Sequence, residues 1–162
     1  MLLDKFLKRS SKSPKPENFF VFIESPIKVV GSQISLWGQS NWWPLECGIR
    51  TVNVPDGNLD LGTKTKTKIK GVLPGTLQSQ VSALVPDRLI ERTFTGGLLK
   101  GKETISVEER YNGTRLDVRL EASPSNIINQ LLWPLFYRKT YIQGMKKVLE
   151  NIKNYCLSVQ RL

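Results

Sequence analysis

Residues 62–71, GTKTKTKIKG, alternate threonine and lysine almost without interruption. A strand repeats every two residues, so Lys64, Lys66, Lys68 and Lys70 share one face, and Thr63, Thr65, Thr67 and Ile69 share the other. Burying a row of unpaired charges is prohibitively costly, so the lysine face is expected outside and the threonine face inside. Similar stretches recur along the chain. The apolar and aromatic run 18–26, NFFVFIESP, predicts a first strand, and 46–54 a second; the Thr–Lys stretch is the third. Residues 77–85, 88–95, 102–110 and 114–122 supply four more, the last with Leu116, Val118 and Leu120 on one face. Turn residues stand between them: PDGN at 55–58, LPGT at 73–76, Pro86-Asp87, the loop or bulge GGLLKG at 96–101, and Asn112-Gly113, a strong hairpin signal.

Two stretches read as helix. Pro26 opens PIKVVGSQISLW, with Ser25 placed to cap it, and Trp42-Trp43-Pro44 stops any second short helix before strand two. The C-terminal stretch carries apolar residues at Ile127, Leu131, Leu135, Ile142, Met145, Leu149, Ile152 and Cys156. These steps of three and four predict one long amphipathic helix, capped by Ser123 or Ser125 and kinked at Pro134, with Arg138 filling the gap in the stripe. Tight turns between consecutive strands imply an antiparallel sheet, and one helix with one apolar stripe can cover one face of it.

Composition narrows the picture. A chain of 162 residues suits one domain, expected over 17–160, after a basic Ser/Pro-containing tail at 1–16 whose start, MLLDKFL, has the makings of an amphipathic turn. That N-terminus lacks the pattern of a secretory signal, and Cys47 and Cys156 suggest no disulfide framework, so a cytoplasmic location is expected, peripheral at a membrane at most. The chain contains no histidine, which excludes histidine-assisted nucleophilic catalysis and leaves no basis for a zinc or haem site; no metal or cofactor is expected. The net charge of +10 favours anionic partners without choosing among nucleic acid, an acidic membrane surface and an acidic small molecule. The lysine face lacks interleaved aromatic residues, which argues against nucleic acid.

The order of elements and their punctuation resembles the START/Bet v 1-like (SRPBCC; polyketide cyclase/dehydrase and lipid transport) superfamily. The resemblance rests on IESP at 23–26, SNWWP at 40–44, LGTKTKTKIKGVLP at 61–74, VPDRLIE at 85–91, GLLKG at 97–101, NGTRL at 112–116 and YIQGMKKVLENIK at 141–153. It implies an α+β helix-grip fold: a bent seven-stranded antiparallel sheet wrapped around the long C-terminal helix, short helices after strand one, and a cavity between sheet and helix. Superfamily members bind lipids, sterols, hormones or polyketides there, and some are enzymes, so the fold leaves the function open.

On this expectation the candidate ligand-binding residues are Thr65 and Thr67, whose hydroxyls need partners once buried, and Val81, Ala83, Phe94, Val107 and Val118 of the strands. Trp42 and Trp43 would close one end, and Tyr141 and Met145 would face in from the helix. Trp133, Phe136 and Tyr137 crowd the helix start, either lining an entrance or forming a membrane-contacting patch. Arg138 is either a guanidinium at the cavity mouth, ready for a carboxylate or phosphate, or else one half of an ion pair with a strand glutamate or a side chain that snorkels out where the helix leaves the sheet; Glu109, read as inward, is a candidate partner. On strand one, Ile23 points in, and Phe20 and Phe22 point out, toward the tail or a dimer partner. Three functions remain open: an apolar small-molecule binder or carrier, acting as monomer or dimer; a cyclase/dehydratase-type enzyme, for which Glu46, Glu103, Glu108, Glu109 and Asp117 are available carboxylates but no acid/base pair is evident; and a basic module for acidic membrane or nucleic acid.

Overall fold

The structure is a computed structural model, and it describes residues 15–160. The expectations for a basic N-terminal tail and its apolar start fall at 1–14, outside the described residues, and at 15–16. The elements run in the order β1 (Glu17–Ile23), α1 (Ile27–Ile34), β2 (Ile49–Val54), β3 (Lys64–Ile69), β4 (Gly75–Val85), β5 (Leu89–Gly97), β6 (Leu99–Arg110) and β7 (Gly113–Pro124). The chain ends in α2 (Ile127–Leu132), a π-helical turn (Trp133–Tyr137) and α3 (Arg138–Val159). This is the helix-grip fold.

One seven-stranded sheet has the order β1-β7-β6-β5-β4-β3-β2, every neighbour antiparallel. Consecutive strands pair as hairpins, and only β1 reaches across the chain, to β7. The two edge strands, β1 and β2, both pack against α3, so the curled sheet meets the helix at both edges. Gly144 lets α3 come close: a Cβ there would lie 2.8 Å from the Cys47 carbonyl oxygen and 2.9 Å from an Ile49 side-chain carbon.

The Thr–Lys strand is arranged as its alternation requires. Lys64, Lys66, Lys68 and Lys70 are exposed, while Thr63, Thr65, Thr67 and Ile69 are buried. In β7, Leu116, Val118 and Leu120 are buried, and with Ile23, Val30, Ile34, Ile105, Val148 and Ile152 they belong to the apolar core. Phe20 and Phe22 point outward, and the Arg115 guanidinium stacks over the Phe20 ring at 4.3 Å.

Several local expectations are corrected. Ser25 does not cap α1; the cap position is Pro26, in extended geometry, and the Ser25 side chain is buried without a hydrogen-bond partner. No second short helix forms, and residues 35–48 are turns. Ala83 is only half-buried because β4 carries a bulge between Val81 and Ala83. One extra residue exchanges the faces of a strand, so Leu84 packs on the core instead. Glu109 is exposed at the strand end.

The largest correction concerns the long helix. Its cap is Asn126, whose side-chain oxygen accepts from the Asn129 amide at 2.8 Å, and not Ser123 or Ser125. Pro134 lies in a π-helical turn, which adds one residue to the helical repeat. From its first residue onward, buried positions recur at Trp133, Tyr137, Tyr141 and Met145, a regular spacing of four. The predicted stripe is therefore displaced by one residue in its first part. Ile127, Leu131 and Leu135 are exposed, and Arg138 faces out.

Candidate functional site

Polar side chains cross the concave face of the sheet in two hydrogen-bonded groups, a Thr51–Thr67 pair and a longer run from Ser79 to Tyr141. Strand register builds it. Thr51 of β2 stands opposite Thr67 of β3, and their hydroxyls are 2.9 Å apart. Thr65 stands opposite Ser79 of β4, hydroxyl against hydroxyl. Arg92 of β5 donates from one terminal nitrogen to the Thr65 hydroxyl at 3.3 Å, and from the other to Glu103 of β6, its register partner. The second Glu103 oxygen accepts from the Tyr141 hydroxyl of α3 at 2.6 Å. Five strands and the helix are thereby tied through side chains.

All of these groups are buried; Arg92 and Glu103 are 3% and 2% exposed. An ion pair at that depth carries a desolvation cost that only close geometry and further hydrogen bonds offset. Glu103 has them from Arg92 and Tyr141. Arg92 has one besides Glu103, to the Thr65 hydroxyl, and its Nε has no acceptor. Burial, reinforced by the Glu103 charge, raises the Tyr141 phenol well above its ordinary range, so it remains a hydrogen-bond donor through neutral pH.

Three tryptophans close the neighbouring side. The Trp37 ring meets Trp42 at 5.8 Å and Trp43 at 5.5 Å, both edge-on. Trp42 donates to the Gln33 side chain at 3.1 Å and Trp43 to the Ile49 carbonyl at 3.2 Å, but the buried Trp37 Nε1 has no partner. Between these rings, Arg92, Glu103 and Tyr141 lies a space of about 10 Å³, lined also by Thr51, Thr67, Phe94 and Met145. That is room for on the order of one water. The interior is thus nearly filled. Two larger hollows are open to solvent: one of about 520 Å³ between β1 and α3, and one of about 510 Å³ beside β2 and β3.

The predicted residues divide accordingly. Trp43, Thr67, Phe94, Tyr141 and Met145 line the internal space. Thr65 sits behind it, bonded to Arg92 and Ser79. Trp42, Val81, Val107 and Val118 are buried packing residues that do not line it. Ala83 also lies away from it, half-buried beyond the β4 bulge. Arg138 is outside altogether, and its half-exposed side chain pairs with Glu17 at 2.5 Å. Of the readings of Arg138, the ion pair with a strand glutamate is the one present, although the partner is Glu17 and not Glu109.

Sequence reasoning missed Arg92, Trp37, Thr51 and Ser79, and it named Glu103 as an available carboxylate without placing it inside. For Arg92 and Glu103 the signal was there. Period two from Ile90 to Phe94 passes through Arg92, and period two back from Val107 and Ile105 reaches Glu103.

The fold, a curled antiparallel sheet around a C-terminal helix, is that of Bet v 1-like structures. Among solved structures, KanY protein (ms6282) superposes with a TM-score of 0.68 at 14% identity, over 90% of this chain and 99% of its own. Ara h 8.0201 gives 0.62 at 15% identity, over 89% and 98%. Ginseng major latex-like protein 151 from Panax ginseng gives 0.62 at 10% identity, over 88% and 97%. Such identities establish the fold alone. No protein-family model matches the sequence, and no curated protein matches it.

Proposed function

We propose that the chain binds a small molecule with an apolar body and an oxygen acceptor at one end, held between the sheet and the C-terminal helix. The observation that carries this reading is a pair of buried donors without acceptors, Arg92 Nε and Trp37 Nε1, on residues that line the same internal space. A buried unsatisfied donor costs about 1–3 kcal/mol, which an acceptor-bearing ligand would recover. The superfamily resemblance supports an apolar body. Trp43, Thr67, Phe94, Tyr141 and Met145 are the proposed contacts. The space of about 10 Å³ is far below the roughly 300 Å³ or more of ordinary ligand pockets, so binding requires the lining to move apart. Half-buried Phe94 is the proposed moving part.

Native mass spectrometry of the purified chain, with organic extraction of whatever accompanies it, tests this. A defined apolar species that is present in the wild type and lost from Thr67→Phe supports the proposal. A clean apo mass that stays apo when challenged with fatty acids, sterols and aromatic polyketides overturns it.

A second reading is an enzyme of the cyclase/dehydratase kind. The phenol of Tyr141 and the carboxylate of Glu103, hydrogen-bonded beside Arg92, are the observation favouring it. Conversion of a bound species by the wild type, but not by Tyr141→Phe with binding intact, would select this reading.

A further inference from the structure

Half of the exposed large apolar side chains crowd one end of the molecule. Sixteen are exposed among the described residues. Leu45, Val72 and Leu73 project from loops, and Ile127, Ile128, Leu131, Leu135 and Phe136 from α2 and the π-helical turn. The backbone brings these segments together. Lys70 N–H donates to the Gly48 carbonyl at 2.8 Å, which joins the 45–48 and 70–74 loops. Leu98 N–H donates to Thr76 at 3.0 Å, and Ser125 N–H to Leu98 at 2.9 Å, which carries the contact on to the start of α2. Gly75 packs directly under Tyr137: a Cβ there would lie 2.7 Å from its ring.

Cations rim this crown. Arg50, Lys68 and Lys70 share the 510 Å³ hollow with Leu45 and Pro74. Lys100 stands opposite Ser123, just before α2, and Lys139 follows the π-helical turn; both are exposed. Nearby are the carboxylates Glu46, which is exposed, and Glu17, which is already taken by Arg138. At the opposite end the exposed apolar residues Leu61, Val85 and Tyr111 stand with exposed Asp56, Asp60 and Asp87 as well as Arg88 and Arg110, a mixed rather than a basic rim.

We infer that this crown docks on an anionic phospholipid bilayer. Aliphatic side chains at the centre enter the boundary between headgroups and acyl chains, and the surrounding lysines and arginine meet the headgroup phosphates. A second copy of the chain fits less well, because a two-fold contact would set this basic rim against itself. The inference is independent of what occupies the interior.

Co-sedimentation of the full chain with vesicles of phosphatidylcholine, with and without phosphatidylserine, tests it. Binding is expected only with phosphatidylserine. The combined Val72→Ser, Leu73→Ser and Leu135→Ser variant should bind about tenfold or more weakly with its thermal unfolding unchanged. Lys68→Glu with Lys70→Glu should bind about tenfold more weakly, and Tyr111→Ser at the far end should bind as the wild type does. Two results overturn the inference: failure of the wild type to sediment with phosphatidylserine vesicles at low salt, or sedimentation that the triple serine variant leaves unchanged.

Discussion

The concave face of the sheet has two unlike halves. Across β6, β7 and β1 it presents Ile105, Val107, Leu116, Val118, Phe19 and Ile23. Across β2 to β5 and the start of β6 the same face interleaves Thr51, Asn53, Thr65, Thr67, Ser79, Arg92 and Glu103, equally buried, with Ile49, Ile69, Leu77, Val81 and Ile90. Both halves obey the same alternation, and both are buried. The first is what burial alone selects. The second holds an ion pair and hydroxyls where aliphatic groups would be as stable or more so. The difference marks the polar half as the place where something other than stability is served.

Removing single residues should break the two halves differently. The largest effect is expected for Glu103→Ala, which leaves the Arg92 charge buried and alone: about 3–5 kcal/mol lost in urea unfolding. Adding Arg92→Leu to it should restore most of that loss, and a double variant no more stable than Glu103→Ala would count against the pair being a unit. Leu116→Ala in the apolar half should cost about 2–5 kcal/mol, with no second substitution that rescues it.

Tyr141→Phe comes next, at about 1–3 kcal/mol, since it deprives a Glu103 oxygen of its donor. It also tests the alkaline side. Burial raises the Tyr141 phenol, and it raises the Cys156 thiol from 9.0 to about 11. Both groups keep their protons in the folded chain at pH values where the unfolded chain has released them. Unfolding therefore releases protons, and stability falls as pH rises. The thiol acts between pH 9 and about 11, and the phenol from its ordinary value of 10 upward. Urea midpoints measured from pH 8 to 11 should decline, less steeply in Cys156→Ala and less steeply at the upper end in Tyr141→Phe. The smallest effect belongs to the outer face: Lys66→Ala should change stability by no more than about 0.5 kcal/mol.

The halves also differed in how well they could be read beforehand. Alternation placed Val118, Thr65 and Thr67 on the inside because hydrophobic and hydroxyl side chains are accepted there without further argument. It placed Arg92 and Glu103 there too, but a charge taken singly argues for solvent. Only the register of β5 against β6, which a single strand does not reveal, sets the two side by side. The bulge that turned Ala83 away and the π-helical turn that turned Arg138 out are one-residue insertions in otherwise regular patterns. Local composition carries little trace of such insertions, because neighbouring elements decide where the extra residue is absorbed. Trp37 joined the site through a run of turns, where periodicity gives no guidance.

The π-helical turn works like slack in a rope: it takes up one extra residue and lets the α-helical turns on either side keep their directions. Deleting one residue within 133–137 would remove the slack and leave an uninterrupted α-helix, with Ile127, Ile128 and Leu131 still pointing away from the sheet. Deleting Gln130 instead, ahead of the turn, would rotate Ile127 and Ile128 by about 100° without removing either. Comparing the two deletions with the serine variants would separate the presence of these side chains from the direction in which they point.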